Sequence, residues 1–267
     1  MRRIMIAGTN SGCGKTTVTC AVLQALVNRK INVSSFKCGP DYIDPMFHKT
    51  VIGTAAYNLD TYLMSNDAVN YLLNKNSGDI AVVEGVMGFY DGFSFTEKGS
   101  THELSEITDT DVILVVNCRG MSLSAMALVK GFKEFRKNNI NGVIFNNLSE
   151  KLYGHLSEEC RKIGLVPLGF LPNIKDVQIS SRHLGLVTAG EIDGIKDKMN
   201  LLADYAEKYI DIDKILEISE NDRDTKFTSL EITKKYNVKI AVAYDRAFCF
   251  YYEDNLNLLS EMGAEIV

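Results

Sequence analysis

The chain has 267 residues, of which 46% are hydrophobic and 24% are charged, which is typical of a folded globular protein. Its formal net charge of −5 argues against a broad nucleic-acid or membrane-surface partner, since either requires a basic face, and no apolar run approaches the length of a membrane span. The six cysteines form no CxxC pair and the four histidines show no zinc spacing, so a reduced, cytoplasmic protein is the simplest interpretation.

Short apolar segments alternate with longer amphipathic segments along the first 210 residues. Strands are predicted over Ile4–Ala7, Val33–Lys37, Ile80–Glu84, Val112–Asn117, Val143–Asn146 and Val166–Phe170. Helices are predicted between and after them over Lys15–Asn28, Asp67–Asn76, Ser122–Lys137, Ser149–Ile163 and Gly194–Tyr209. This alternation indicates an α/β fold with a doubly wound, mostly parallel sheet. Ligands of such sheets bind at the carboxyl ends of the strands.

A glycine-rich run, Gly8–Thr17, joins the first strand to the first helix. Such a turn aims backbone N–H groups at one point, where the helix N-terminus adds partial positive charge. Lys15 can then reach the β- and γ-phosphates of a nucleotide, and the Thr16 hydroxyl can ligate Mg²⁺. The loop has one residue more than the usual pattern between Gly8 and the Gly14–Lys15 pair. Its context nevertheless predicts a nucleotide site in a P-loop NTPase-like fold.

Two acidic segments follow other predicted strands. Lys37, Asp41, Tyr42 and Asp44 lie close together after the second strand. Carboxylates suit Mg²⁺ and a lysine suits a phosphate or a substrate carboxylate, although a purely polar turn would also explain this block. Glu84 ends a strand that we expect to be buried, where it can hold Mg²⁺ opposite the loop lysine. A solvent-facing glutamate is the alternative.

Three weaker signals lie further along the chain. The loop 85–92 contains glycines that allow close approach of a ligand, and its residues Phe89 and Tyr90 either offer a flat platform or pack under the loop. The segment 99–102 offers donors for an anion or simply caps a helix. Arg182 and His183 precede a small turn and carry little weight alone.

The pattern changes after Tyr209. Residues 211–236 are rich in charge, and we expect a linker there. A strand over Lys239–Tyr244, a helix over Tyr252–Met262 and the start of a strand at Gly263–Val267 follow. The sequence thus predicts a first domain over 1–210, a linker over 211–236, and the truncated start of a second domain over 237–267.

Several of these motifs resemble the cobyrinic acid a,c-diamide synthase family, which includes the nickel-sirohydrochlorin a,c-diamide synthases. The motifs that carry the resemblance are Gly8–Thr17, Lys37–Pro45, Val83–Gly88 and Arg182–Leu186. Ala247–Leu256 looks like the opening of that family's glutamine amidotransferase domain, and the long phosphate loop resembles that of dethiobiotin synthetase.

The resemblance implies an ATP- and Mg²⁺-dependent carbon–nitrogen ligase of cobalamin biosynthesis. It would amidate the a and c acetate carboxylates of cobyrinic acid through acyl phosphates, with ammonia from glutamine; nickel-sirohydrochlorin is the alternative substrate. The family's nucleophilic cysteine lies beyond residue 267, and Cys249 lacks the flanking glycines of such a site. We therefore expect this chain to use ammonium and not glutamine.

The motifs and the resemblance together suggest roles for individual residues. Catalytic roles fall to Lys15, Tyr42, Asp44 and Glu84. ATP would be bound by Asn10, Ser11, Gly12, Cys13, Gly14, Lys15, Thr16, Thr17, Lys37 and Asn146, the last of these at the adenine. Thr16, Asp41 and Glu84 would hold Mg²⁺, with Asp41 preferred to Asp44. The substrate would meet Tyr42, Asp44, Asp91, Ser100 and Arg182.

Two other functions remain in competition. One is a ligase of the dethiobiotin-synthetase kind. The other is a partitioning-type ATPase switch; such switches usually carry an extra lysine early in the phosphate loop, where this sequence has Asn10, and the sequence shows no membrane-targeting tail. The tetrapyrrole, its metal and the oligomeric state stay open, a homodimer included.

Overall fold

The structure is a computed structural model of the chain and describes residues 1–174, 189–220, 233, 236–245 and 247–267. Its centre is a seven-stranded sheet in which every strand pairs in parallel with its neighbours, in the order β3-β2-β4-β1-β5-β6-β7. The strands are β1 (Arg2–Gly8), β2 (Val33–Cys38), β3 (Ala55–Leu59), β4 (Ile80–Glu84), β5 (Asp111–Asn117), β6 (Ile140–Asn146) and β7 (Val166–Leu171). The carboxyl ends of the strands therefore share one edge.

Helices cover both faces of this sheet, which confirms the predicted doubly wound α/β fold. The helices are α1 (Lys15–Asn28), α2 (Ile43–Phe47), α3 (Asn66–Asn76), α4 (Thr101–Ile107), α5 (Ser124–Phe135), α6 (Glu150–Lys162), α7 (Ala189–Tyr209) and α8 (Ile212–Ser219). On one face α1, α7 and α8 pack together, and on the other face lie α3 to α6.

Strand β1 shows why two covered faces require an apolar sequence. Its residues Ile4 and Ile6 point into the core on the α1 side, whereas Met5 and Ala7 point into the core on the opposite side. All four are fully buried. A strand with helices on both faces is apolar at consecutive positions, and Val112–Val116 in β5 follows the same rule.

Several elements of the structure were not predicted from the sequence. Strand β3, helix α4, and α2 with the π-helical turn His48–Ile52 that follows it were not predicted. Helix α8 lies within the range 211–236 that we expect to be a linker, and its residues Ile212 and Ile215 are buried in the core. The first part of that range is therefore packed structure, because the two isoleucines, three residues apart, share one helix face.

The last segment consists of the two-residue strands β8 (Lys239–Ile240) and β9 (Glu265–Ile266) with α9 (Glu253–Glu261) between them. The helix agrees with the predicted one, while β8 is shorter than expected. The segment contacts the main sheet domain through an aromatic stack of Tyr252 on Tyr42, 4.9 Å between ring centroids, and through a hydrogen bond from Tyr252 Oη to Asp60, 3.2 Å. The division into domains stays a prediction.

Within the part of the chain that the structure describes, no helix combines the length and apolar character needed to cross a lipid bilayer.

Candidate functional site

The phosphate loop between β1 and α1 depends on glycines at crowded positions. Gly14 has a φ of 100°, in the left-handed region that disfavours side chains, and a Cβ there would overlap the amide nitrogen of Asn146. A Cβ at Gly8 would likewise overlap the Cys13 sulfur. The loop therefore folds tightly over the end of the sheet, and its backbone leads directly into the N-terminus of α1.

The predicted nucleotide residues of this loop fall into an exposed tip and a buried base. Asn10, Ser11 and Gly12 are exposed, whereas Cys13 is buried. The Asn146 amide donates a hydrogen bond of 3.0 Å to the Cys13 carbonyl and so braces the base of the loop from β6. Its predicted contact with adenine stays a prediction.

Lys15 and Thr16 tie the start of α1 to the end of β4. The Lys15 ammonium donates a 2.6 Å hydrogen bond to the Met87 carbonyl, and the Thr16 hydroxyl donates a 2.7 Å bond to Glu84 Oε1. Burial lowers the pKa of Lys15. Thr17, also predicted to bind the nucleotide, is half-buried one position further along the helix. An anion at this helix end would meet a lysine, a hydroxyl and the helix dipole together.

Lys37 lies at the centre of a buried cluster of charges. Its ammonium is 2.5 Å from Asp44 Oδ2 and 3.1 Å from Glu84 Oε1, and Lys37 and Glu84 are 4% and 0% exposed. Burial alone would lower the pKa of Lys37, but the Glu84 and Asp44 carboxylates more than offset this effect, and the pKa is raised. Burial and the Glu84 carboxylate also raise the pKa of Asp44. Lys37 therefore stays charged and holds the two carboxylates together.

Asp41 and Tyr42 lie on the outer side of this cluster. Asp41 is 3.7 Å from the Lys37 ammonium, and its Oδ1 accepts a 2.9 Å hydrogen bond from the Ile43 backbone at the start of α2. Tyr42 stacks on Tyr252 and lines a cleft of about 690 Å³ whose walls also include Pro40, Val86 and Phe250. Of the two aspartates, the structure thus places Asp44 and not Asp41 against the Lys37–Glu84 pair. The metal role of Asp41 stays a prediction.

The other predicted substrate residues are dispersed. Asp91 is exposed and accepts a 3.0 Å hydrogen bond from the Gly88 backbone. Ser100 is fully buried as the N-cap of α4, where it accepts a 3.1 Å bond from the Glu103 backbone, so its side chain offers no surface to a substrate. Arg182 lies outside the described residues.

The two aromatic residues of the loop after β4 pack under the loop instead of forming a platform. Phe89 is fully buried, and the half-buried Tyr90 stacks on Phe132, to whose carbonyl its hydroxyl donates a 2.7 Å hydrogen bond. They therefore support the loop backbone that Lys15 contacts.

The donors around Thr16 fit a hard divalent cation. Within the described ranges, no group of three or more His, Cys, Asp or Glu side chains could hold a metal alone. Mg²⁺ in nucleotide sites uses one or two protein oxygens, with water and phosphate oxygens completing its shell. The Thr16 hydroxyl and the Glu84 carboxylate are such oxygens, and Glu84 Oε2 is buried without a hydrogen-bond partner in the part of the chain that the structure describes.

Two groups of the candidate site were not predicted from the sequence: the Met87 carbonyl and the His48 side chain. The Met87 contribution is a backbone carbonyl, which any residue could supply; its positive φ of 46° is visible only in the structure. His48 lies beside Glu84 with its Nε2 3.5 Å from Glu84 Oε2, and it belongs to no motif. In the sequence, its position shortly after the Asp44–Pro45 turn was the one indication that this histidine could lie near the site.

Comparison with known proteins identifies relatives over nearly the whole chain. Residues 4–187 match the family described as the CobQ/CobB/MinD/ParA nucleotide binding domain. A cobyrinate a,c-diamide synthase of Thermoplasma volcanium is 43% identical over 99% of this chain and 59% of its own length. One of Methanocaldococcus jannaschii is 41% identical over 100% of this chain and 62% of its own length.

The chain thus spans about three fifths of these relatives. Among solved structures, the MinD cell division protein of Aquifex aeolicus is 16% identical with a TM-score of 0.46, over 82% of this chain and 95% of its own.

Proposed function

Because the chain belongs to the CobQ/CobB/MinD/ParA nucleotide binding domain family, we propose that it binds ATP with Mg²⁺ and amidates the a and c acetate carboxylates of cobyrinic acid. The relatives confirm the resemblance to the cobyrinic acid a,c-diamide synthase family that the motifs predict. The relatives are named as synthases, and this similarity supports the proposal that the chain carries an amide-forming activity. The nucleotide, the metal and the reaction steps are our proposal.

One observation carries the proposal. Side chains from four elements meet in a single, largely buried cluster at the carboxyl edge of the sheet. They are Lys15 and Thr16 of α1, Glu84 of β4, Lys37 of β2 and Asp44 of α2. Phosphoryl transfer needs positioning and charge neutralisation more than it needs covalent help from the protein. This cluster supports both, because Lys37 holds the Asp44 and Glu84 carboxylates in place and Lys15 adds a second cation at the phosphate loop.

Each member of the cluster would then have a defined task. The loop backbone and Lys15 would hold the β- and γ-phosphates, which requires the ammonium to leave the Met87 carbonyl. Thr16 and Glu84 would hold Mg²⁺, which when bound neutralises the charge on the transferred phosphoryl group. The Lys37 ammonium already bonds Asp44 and Glu84, so we assign it to ordering these carboxylates and not to direct contact with ATP.

The reaction would proceed in two steps, phosphorylation of the carboxylate and then amide formation. A substrate carboxylate oxygen attacks the γ-phosphorus and the bond to the β-bridging oxygen breaks, which gives an acyl phosphate and ADP. Ammonia then attacks the acyl carbon, the carbon–oxygen bond breaks, and inorganic phosphate leaves as the nitrogen loses a proton. Phosphorylation is needed because an unmodified carboxylate would have to expel oxide.

The acceptor needs room beside this cluster for its ring. The cleft of about 690 Å³ lined by Pro40, Tyr42, Val86 and Phe250 lies next to the Asp41–Asp44 turn and is mostly apolar. An apolar wall suits the flat face of a tetrapyrrole, and a carboxylate arm could extend from there toward Lys15. Tyr42 would form part of this wall, with Asp44 at the reacting end.

The nitrogen source and the partners follow from the same proposal. Ammonia would come from glutamine in a longer protein with an amidotransferase domain, while this chain alone would accept ammonium. The homodimer and the cytoplasmic location stay predictions.

Mass spectrometry of cobyrinic acid incubated with the chain, Mg²⁺, ATP and ammonium tests the proposal. One or two carboxyl-to-amide exchanges with matching ADP would support it, and Lys15→Ala should strongly reduce both. A shift on nickel-sirohydrochlorin alone would keep the chemistry and change the substrate. No shift on either compound, with this chain and with a longer protein that adds the amidotransferase domain, would refute it. Ammonia release from glutamine would refute the expected nitrogen source.

A further inference from the structure

His48 lies in the π-helical turn that follows α2, directly beside Glu84. Its Nε2 is 3.5 Å from Glu84 Oε2, and the two residues are 1% and 0% exposed. Among the residues that the structure describes, neither ring nitrogen of His48 has a hydrogen-bond partner, and Glu84 Oε2 also lacks one. π-helical turns are rare and frequently occur at functional sites. The His48 imidazole and Glu84 Oε2, both buried and without hydrogen-bond partners among the described residues, thus lie side by side in the proposed site.

Buried polar atoms without partners are uncommon in folded proteins, because each costs the desolvation of a donor or acceptor. An imidazole can donate an N–H from Nε2 whether the ring is neutral or protonated. Asp44 and Lys37 also lie close to it and already bond each other. Asp41 is also near, but the acceptor that the described part of the chain places within 3.5 Å of His48 Nε2 is Glu84 Oε2.

The two oxygens of Glu84 have different surroundings. Oε1 is engaged by the Thr16 hydroxyl at 2.7 Å and by the Lys37 ammonium at 3.1 Å. Oε2 lies beside His48 Nε2, at a distance that is about 0.5 Å longer than a normal N–H···O bond. A small contraction would complete the bond, and hydrogen bonds in empty active sites are often long before the ligand binds.

We propose that His48 is a positioning residue for Glu84, donating its Nε2–H to Oε2 and so fixing the carboxylate that holds Mg²⁺. This inference rests on the nucleotide site proposed above. Outer-shell donors of this kind orient a metal-binding carboxylate, and their loss typically weakens metal affinity by about 10- to 100-fold.

Magnesium titrations of ATP binding test the role with three variants. His48→Leu removes the N–H at similar volume, His48→Gln retains one, and Ile52→Ala is a packing control in the same buried turn. His48→Leu should raise the Mg²⁺ concentration for half-maximal ATP binding by about 10- to 100-fold, while His48→Gln stays near the unmodified chain. An unchanged His48→Leu, or an equal shift in Ile52→Ala, would overturn the inference.

A second measurement needs no nucleotide. Nitrogen-15 NMR of the free protein reports which ring nitrogen carries the proton, and His48→Gln identifies the His48 signals. We expect the proton on Nε2 and a shift of that nitrogen on Glu84→Gln; a proton on Nδ1 would overturn the inference. If the unmodified chain fails to bind ATP with Mg²⁺, the proposed function fails, and the NMR result alone decides the role of His48.

Discussion

Replacing Lys37 by methionine tests the central charge cluster most directly. Methionine has similar length and no charge, so it removes the ammonium that lies 2.5 Å from Asp44 and 3.1 Å from Glu84 while it largely fills the space. Two buried carboxylates would then remain close together without their shared cation.

The expected cost follows from the burial of the cluster. Lys37 is 4% exposed, so solvent screens its interactions little. Removing one partner of a buried ion pair typically costs about 3–5 kcal/mol in the free energy of unfolding, because the remaining charge is buried and uncompensated. Lys49→Met is a matched control: its pair with Glu253 is 2.9 Å long but exposed, and such pairs contribute about 0–1 kcal/mol.

The loss should also depend on pH, with a defined sign. Burial and Glu84 already raise the pKa of Asp44 above its ordinary value of 3.8, and removal of Lys37 should raise it further. A folded state that binds a carboxyl proton more tightly than the unfolded state is stabilised at low pH. It loses that stability as pH rises from about 3.8 through the raised pKa.

Urea unfolding of both variants at about pH 8 and about pH 5 measures these effects. Lys37→Met should be much less stable than the control at the higher pH and recover part of the difference at the lower pH. Adding Asp44→Asn should also restore stability, since one of the two uncompensated charges is removed. A Lys37→Met protein no less stable than Lys49→Met at the higher pH would refute the reasoning.

Three further predictions concern the loop and the metal. Lys15→Ala should reduce ADP formation by about 10²- to 10³-fold, and near-normal turnover would mean that the phosphates bind elsewhere. Glu84→Gln should weaken turnover and Mg²⁺ dependence much more than nucleotide affinity in binding titrations; equal losses would indicate a structural role. Gly14→Ala should destabilise the protein to urea by about 1–3 kcal/mol, because it combines an unfavourable φ with overlap on Asn146. Gly164→Ala, at a φ of 74° in open space, should cost less, and an equal loss would count against the overlap.

The sequence predicted those elements whose signals are local. Helix α1 and strand β4 were predicted with their observed bounds, because a glycine-rich loop and a buried apolar run mark their ends. Strand β3, with the sequence Ala-Ala-Tyr-Asn-Leu, lacks β-branched residues and lies at the edge of the sheet, where pairing with β2 decides its conformation. Helix α8 was not predicted, because it lies in a charge-rich range that resembles a linker.

The site shows the same limit. The sequence placed Lys37 and Glu84 at the ends of two strands, but not their contact, since adjacency of β2 and β4 depends on the strand order. The sequence also left Asp41 and Asp44 hard to separate, because a three-residue offset at a helix start decides which carboxylate turns inward. His48 belongs to no motif. Its proposed role depends on its contact with Glu84, which is distant in the sequence and becomes visible only in the folded structure.

The parallel sheet places the turn between α6 and β7 at the edge opposite the phosphate loop. At the carboxyl edge, a single added methyl group at Gly8 or Gly14 would overlap a neighbour. At the amino edge, Gly78 before β4 is crowded by the Asn32 carbonyl, but Gly164, between α6 and β7, has open space around it. A fluorophore, a peptide tag or a surface tether is therefore best inserted at that turn. A molecule immobilised there would present its phosphate loop to the solution.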